Sequence, residues 1–69
     1  MKIYAIINVG NEIEGRLTAV KIEKAYKDRS NAETYMNKNR VSYVEDLNLD
    51  GQKVQMLCER NIQEIEVED

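Results

Sequence analysis

KIEKAYKDRSNAETYMNKN, Lys21 to Asn39, is the stretch whose reading decides the fold. It reads as a strand that runs out through Ala25 and Tyr26, a turn at Asp28-Arg29, and a helix that begins at Ser30. Val20, Ile22 and Tyr26 fall at period two, interrupted by Lys24, and are expected on one strand face. Ser30 stands where an N-cap belongs and Glu33 follows three residues later. At that spacing the serine oxygen can accept from the Glu33 backbone N–H while the glutamate reaches back to the Ser30 N–H. Ala32, Tyr35 and Met36 then form one stripe, and the weak helix formers Asn37 and Asn39 end the helix near Asn39. A helix of about ten residues does not hold alone in water. Its stripe must rest on the flanking strands, with Tyr35 and Met36 as core side chains. A competing reading extends the stripe through Tyr43, Val44 and Leu47 as one long helix. The break is preferred, because Asn37, Asn39, Val41 and Ser42 are weak helix formers in succession.

Upstream, Lys2 to Val9 (KIYAIINV) is the clearest strand. Ile3, Ala5, Ile7 and Val9 share one face and Tyr4, Ile6 and Asn8 the other. With apolar residues on both faces, it reads as a central strand or one that meets a partner chain. Gly10-Asn11 is expected to break it. Arg16 to Tyr26 returns as the second strand, antiparallel to the first through a loop of about six residues. Downstream, Val41 to Val44 and Leu47 to Leu49 are strand-like. Asp50-Gly51 is the strongest hairpin signal in the chain and joins them to Gln52–Glu59. Arg60-Asn61 reads as a second turn or a bulge before a last strand from Ile62 to Glu68. There Ile62 has the opposite parity to Ile65 and Val67, which argues for an irregularity. The expected fold is α+β: an antiparallel sheet of four or five strands with one short helix packed on one face, in the order β-β-α-β-β with a further short β at the end.

The chain has 69 residues, one domain over 1–69. A domain of this size buries only about 60% of the surface its unfolded chain exposes, and oligomerisation is a common remedy. The lone Cys58 excludes an intramolecular disulfide, and with no histidine a zinc site has no ligand set. The same lone cysteine, with no signal peptide, points to a reducing, cytoplasmic setting. No apolar run approaches the roughly 18 residues of a membrane span. Net charge is −3, but unevenly spread: residues 1–29 hold six basic and four acidic side chains, residues 30–69 four and nine. The basic run is Lys21, Lys24, Lys27 and Arg29, and the acidic end is Glu64, Glu66, Glu68 and Asp69. Both read first as solvated faces, and second as a means of steering a charged partner or aligning two copies.

Motifs for chemistry are absent from the sequence. Asp46-Leu47-Asn48-Leu49-Asp50-Gly51 matches the opening of a calcium loop, but its twelfth position is Leu57 and its eighth Lys53, so a hairpin explains the letters better. With no histidine the usual general base is missing. Cys58 sits in an apolar alternation and reads as a buried small residue. No cofactor, no metal and no enzymatic activity are expected.

The run VKIEKAYKDRSNAETYMNKN resembles a pattern in short, mostly uncharacterised proteins of bacteriophages and their bacterial hosts. In these a β-hairpin precedes one capped helix and the chain closes with a strand ending in something like IQEIEVED. The resemblance covers about half of the chain and carries no catalytic motif; residues 41 to 59 lie outside it. It implies a small accessory protein of the host cytoplasm, of a kind that often binds and inhibits a host enzyme or defence complex. The expected function is therefore non-catalytic binding of another protein, with homodimerisation through open strand edges as a further partner reading. The alternative is nucleic-acid or nucleotide binding, with Lys21, Lys24, Lys27 and Arg29 on phosphates and Tyr4 or Tyr26 as a stacking platform. Tyr4, those four cations, and Glu64, Glu66 and Glu68 are the candidate binding residues.

Overall fold

The computed structural model describes residues 1–68. Its elements follow in the order β1 (Lys2–Glu12), β2 (Thr18–Tyr26), α1 (Arg29–Lys38), β3 (Ser42–Leu49) and β4 (Gln52–Glu66). The four strands form one antiparallel sheet in the spatial order β2-β1-β4-β3. The fold is α+β, with the first and last strands adjacent at its centre and α1 against β1, β2 and β4. The last strand is longer than its sequence suggests. Arg60 and Asn61 do not turn; β4 runs through them, and among the described residues no fifth strand forms.

The parity conflict at Ile62 has a plain resolution. β1 and β4 pair without a register shift from Lys2↔Glu66 to Glu12↔Met56. Ile62 therefore sits beside Ile6 on the helix side, while Ile65 sits beside Ile3 on the opposite side. Both parities are apolar because both sides of this pair are wanted. The irregularity lies in β2 instead. Ile6 pairs with Lys24 and Ile7 with Ile22, so Glu23 is one residue too many. Val20 and Ile22 consequently join Val9 and Ile7 on the open side, whereas Tyr26 joins Tyr4 beneath the helix. The single face expected for Val20, Ile22 and Tyr26 is thus split by the bulge.

Gly10-Asn11 does not break β1 either. Gly10 pairs with both Ala19 and Cys58 in mid-sheet and is buried. A Cβ there would lie 3.3 Å from Cys58 Sγ and 3.4 Å from Met56 Cε. The glycine makes room for those two side chains, and the chain turns later, at residues 13–17, closed by the Glu12 N–H donating to the Leu17 carbonyl at 2.8 Å.

The helix starts one residue before Ser30, with Asp28 as its cap residue and no side-chain capping bond. The Asp28 carbonyl accepts from the Asn31 and Ala32 N–H groups at 3.2 and 3.3 Å. Ser30 is already inside the first turn, where its carbonyl accepts from Thr34 Oγ1. Glu33 pairs with Arg29 one turn back, at 3.1 Å, in place of closing a capping box. The expected end near Asn39 is seen: Asn39 is extended, and its Nδ2 donates to the Tyr35 carbonyl at 2.8 Å. β3 follows directly, which removes the long-helix alternative. Among the described residues no helix is long and apolar enough to cross a membrane.

The fully buried apolar side chains are few: Ala5, Ile6, Ala32, Met56 and Cys58. Ala32 is the only buried residue of α1, and its small size lets the helix lie close to the sheet; Tyr35 and Met36 are half-buried. The β3–β4 hairpin closes as expected at Asp50-Gly51, both with positive φ (51° and 81°), the signature of a type I′ turn. Asp46 and Asn48 of the calcium-like motif lie in β3, opposite Gln55 and Lys53.

A Cβ at Gly51 would meet nothing within 4 Å, so its requirement for glycine is purely conformational. Gly51→Ala should therefore cost about 1 kcal/mol of unfolding free energy, whereas Gly51→Asn should cost much less. Urea denaturation of the two variants checks this, and equal losses would show that the turn conformation is not what Gly51 supplies.

Candidate functional site

The bulge in β2 aims Glu23 inward under α1. Its carboxylate collects three donors from three other elements: Asn8 Nδ2 of β1, Tyr35 Oη of α1, and Arg60 Nε of β4 at 2.9 Å. Asn8 Nδ2 also lies 2.7 Å from Tyr43 Oη of β3, with the hydroxyl accepting. The Arg60 guanidinium lies over the Tyr43 ring, 4.5 Å from its centroid. Arg60 further donates through its guanidinium to the Arg40 carbonyl, and through its backbone N–H to the Val41 carbonyl at 2.7 Å. One ion pair thus ties together all four strands, the helix and the segment that leaves the helix.

Burial on its own would raise the Glu23 carboxyl. The hydrogen bonds from Tyr35, Asn8 and Arg60, with the Arg60 charge, reverse this and hold it below the usual glutamate value. The hydrogen bond to Glu23, chiefly, pushes the Tyr35 hydroxyl up. For Arg60 burial acts downward, but Glu23 outweighs it and the guanidinium stays charged. The side chains of Arg60 and Glu23 are only 14% and 11% exposed, and among the described residues no fully buried side-chain polar atom lacks a partner. All of these groups are occupied with one another, which is the character of a structural centre.

Beyond this cluster, on the same side, the sheet bears a trough of about 250 Å³ lined by Gly10, Ala19, Lys21, Glu45, Met56 and Cys58. Cys58 Sγ lies 3.8 Å from Glu45 Oε2 and is buried. Among the described residues no helix lies over the opposite side of the sheet. There the cross-strand pairs Ile3/Ile65, Ile7/Ile22, Val9/Val20 and Leu57/Val44 lie in succession. Val20, Ile22 and Val44 are 65%, 64% and 56% exposed and Leu57 is 40% exposed. Between the Ile3/Ile65 and Leu57/Val44 rows, Glu59 is the only charged residue whose parity places it on this side.

The candidate residues from the sequence are distributed around the helix side. Arg29 lies over the Tyr4 ring and Lys24 over the Tyr26 ring, each 6.0 Å from the centroid. Lys21 lines the trough, and Lys27 is exposed in the bend after β2. The four cations therefore do not make one stripe. Glu64 and Glu66 share a face, but Lys2 pairs with Glu64 at 3.8 Å and the Met1 amino group with Glu66 at 3.5 Å. Glu68 follows the end of β4. Sequence reasoning missed Glu23, Asn8, Tyr43 and Arg60. The signal was present in Asn8 and Arg60, polar residues inside apolar alternations that become direct cross-strand neighbours. Among the described residues no group of three or more His, Cys, Asp or Glu side chains is placed to hold a metal ion. Compared with known proteins, the chain matches no family model, no curated protein and no solved structure.

Because the Glu23 carboxyl is lowered on folding, its contribution to stability is full above its unfolded value of about 4.3 and is lost as pH falls through the lower folded value. Glu23→Gln should therefore be less stable than the wild type at pH 6 to 7, with the gap closing towards pH 3. Urea midpoints measured from pH 3 to 7 check this; a gap independent of pH would remove the ionic role of Glu23.

Proposed function

We propose that this chain is a small, non-catalytic protein-binding module. The observation that supports the reading best is the uncovered apolar side of the sheet. Large aliphatic side chains scattered singly over a surface need no explanation, but paired rows of them on neighbouring strands mark a contact surface. The paired rows Ile7/Ile22 and Val9/Val20 sit on the central strand β1 and its neighbour β2. On the other side the Glu23 cluster is satisfied within itself, whereas the apolar rows here face no counterpart. The resemblance to phage accessory proteins makes a host enzyme or defence complex the class of external partner to try.

The nucleic-acid alternative would use Arg29 on Tyr4 and Lys24 on Tyr26. Acidic groups stand beside these cations: Glu33 is paired with Arg29, and Glu64 lies directly across the strands from Tyr4. Phosphate binding would have to displace or outweigh them, so the protein-binding reading is preferred.

The chain, labelled at its amino terminus, should sediment as part of a species heavier than its own 8.0 kDa, either when purified or in a bacterial lysate. Ile22→Lys should sediment as the free chain in both settings. A wild type that stays free in both would end this reading.

A further inference from the structure

We infer that the occupant of the open side of the sheet is a second copy of this chain, so that two sheets stack face to face about a two-fold axis with the helices outside. The inference rests on the protein-binding reading above and names the partner. Its first support is area. A folded monomer of 8.0 kDa exposes about 4,500 Å² by the usual scaling of surface with mass. This chain exposes 5321 Å². The surplus over the whole chain, roughly 800 Å², matches the ~800 Å² that each partner contributes to a stable interface. The shape agrees. The radius of gyration is 14.1 Å, against about 11 Å for a compact chain of this length. The shortest dimension is 16 Å, in keeping with one sheet and one helix layer.

The second support is chemical. In a chain that is 33% charged, the block from Ile3/Ile65 to Leu57/Val44 carries Glu59 alone. A surface of that kind offers no cations to phosphate or to an anionic lipid surface. It fits another surface poor in charge and rich in β-branched side chains. Its own copy is such a surface, and an isologous contact needs one patch that complements itself. Ile7, Ile22, Val9 and Val20 would form the centre, with their side chains filling the roughly 10 Å between stacked sheets. Gln63 and Asn61, where β4 has run past the end of β3, would lie at the polar margin, and Glu59, between Val9 and Ser42, is the one charge the interface has to accommodate.

The third support is the thinness of the monomer core. Among the described residues, Ile6 and Met56 are the only large side chains that are fully buried. A chain with so little interior gains most from a partner that is present whenever it is made.

Sedimentation equilibrium of the purified chain between about 1 and 200 μM is the test. The wild type should fit twice the chain mass. Ile22→Lys should fit the single chain mass with an unchanged far-ultraviolet circular dichroism spectrum, its dimer weakened about 100-fold or more by an unpaired buried charge. Val20→Lys should do the same, and serves if the first variant does not fold. A wild type that is monomeric throughout overturns the inference. So does a dimer that survives both substitutions, because it would be joined elsewhere, for example along the strand edges. A purified monomer that becomes heavier in lysate through Ile22 would overturn this inference while leaving the broader binding reading standing.

Discussion

The extra residue in β2 is the constraint on which the rest of the structure depends. Without Glu23 as a bulge, period two would put Val20, Ile22 and Tyr26 on the same side. Either Tyr26 would leave the helix, or the two aliphatic residues would be drawn under it. The bulge lets one strand serve the helix with its end and the open side with its middle. The inserted carboxylate is then buried, and it persists because Asn8, Tyr35 and Arg60 supply donors. A buried ion pair of this kind is weak evidence for stability by itself. What it adds is specificity of position. Arg60 reaches Glu23, the Tyr43 ring and the chain after the helix at once, so helix, both edge strands and both central strands share one register.

This arrangement also explains why the helix can be so slight. α1 buries only Ala32 fully, and its two larger stripe residues are half-buried. Its place is held instead by the Tyr35 hydroxyl on Glu23, the tilted contact of the Tyr35 and Tyr26 rings at 6.2 Å, and Asn39 closing its last turn. Polar anchoring substitutes for apolar area on the helix side, while the apolar area accumulates on the other side of the sheet.

Much of the architecture was legible in the sequence because it rests on local rules. The helix end at Asn39, the switch to a strand at Ser42 and the type I′ turn at Asp50-Gly51 each follow from backbone preferences of a few residues. Three features were not legible for a common reason. Gly10 continues a strand because Cys58 and Met56, far along the chain, need the space. Arg60-Asn61 continues a strand because β1 pairs with it on one side throughout. The bulge falls at Glu23 because its partners come from three other elements, β1, α1 and β4. Each is decided by non-local contacts, and a pattern of period two cannot say where it will be interrupted. The capping box failed for a different reason: Arg29 offered Glu33 a charge one turn back, inside a helix that had already begun. For the candidate site, the cations and tyrosines were visible as residue types, but their separation into Arg29/Tyr4, Lys24/Tyr26 and a lone Lys21 was not.

The pairing of β1 with β4 has a consequence for how the chain acquires this shape. The middle of the sheet joins the two ends of the described chain, and the Met1 amino group still meets the Val67 carbonyl at 3.0 Å. The β1–β2 hairpin can form early, and so can the β3–β4 hairpin, but neither encloses an interior. Until β4 emerges from the ribosome, Ile6 has no Ile62, Glu23 has no Arg60, and the helix has only half a floor. Until β4 is made, the β1–β2 hairpin leaves one side of β1 unpaired, an open strand edge of the kind that chaperones and aggregates both recognise.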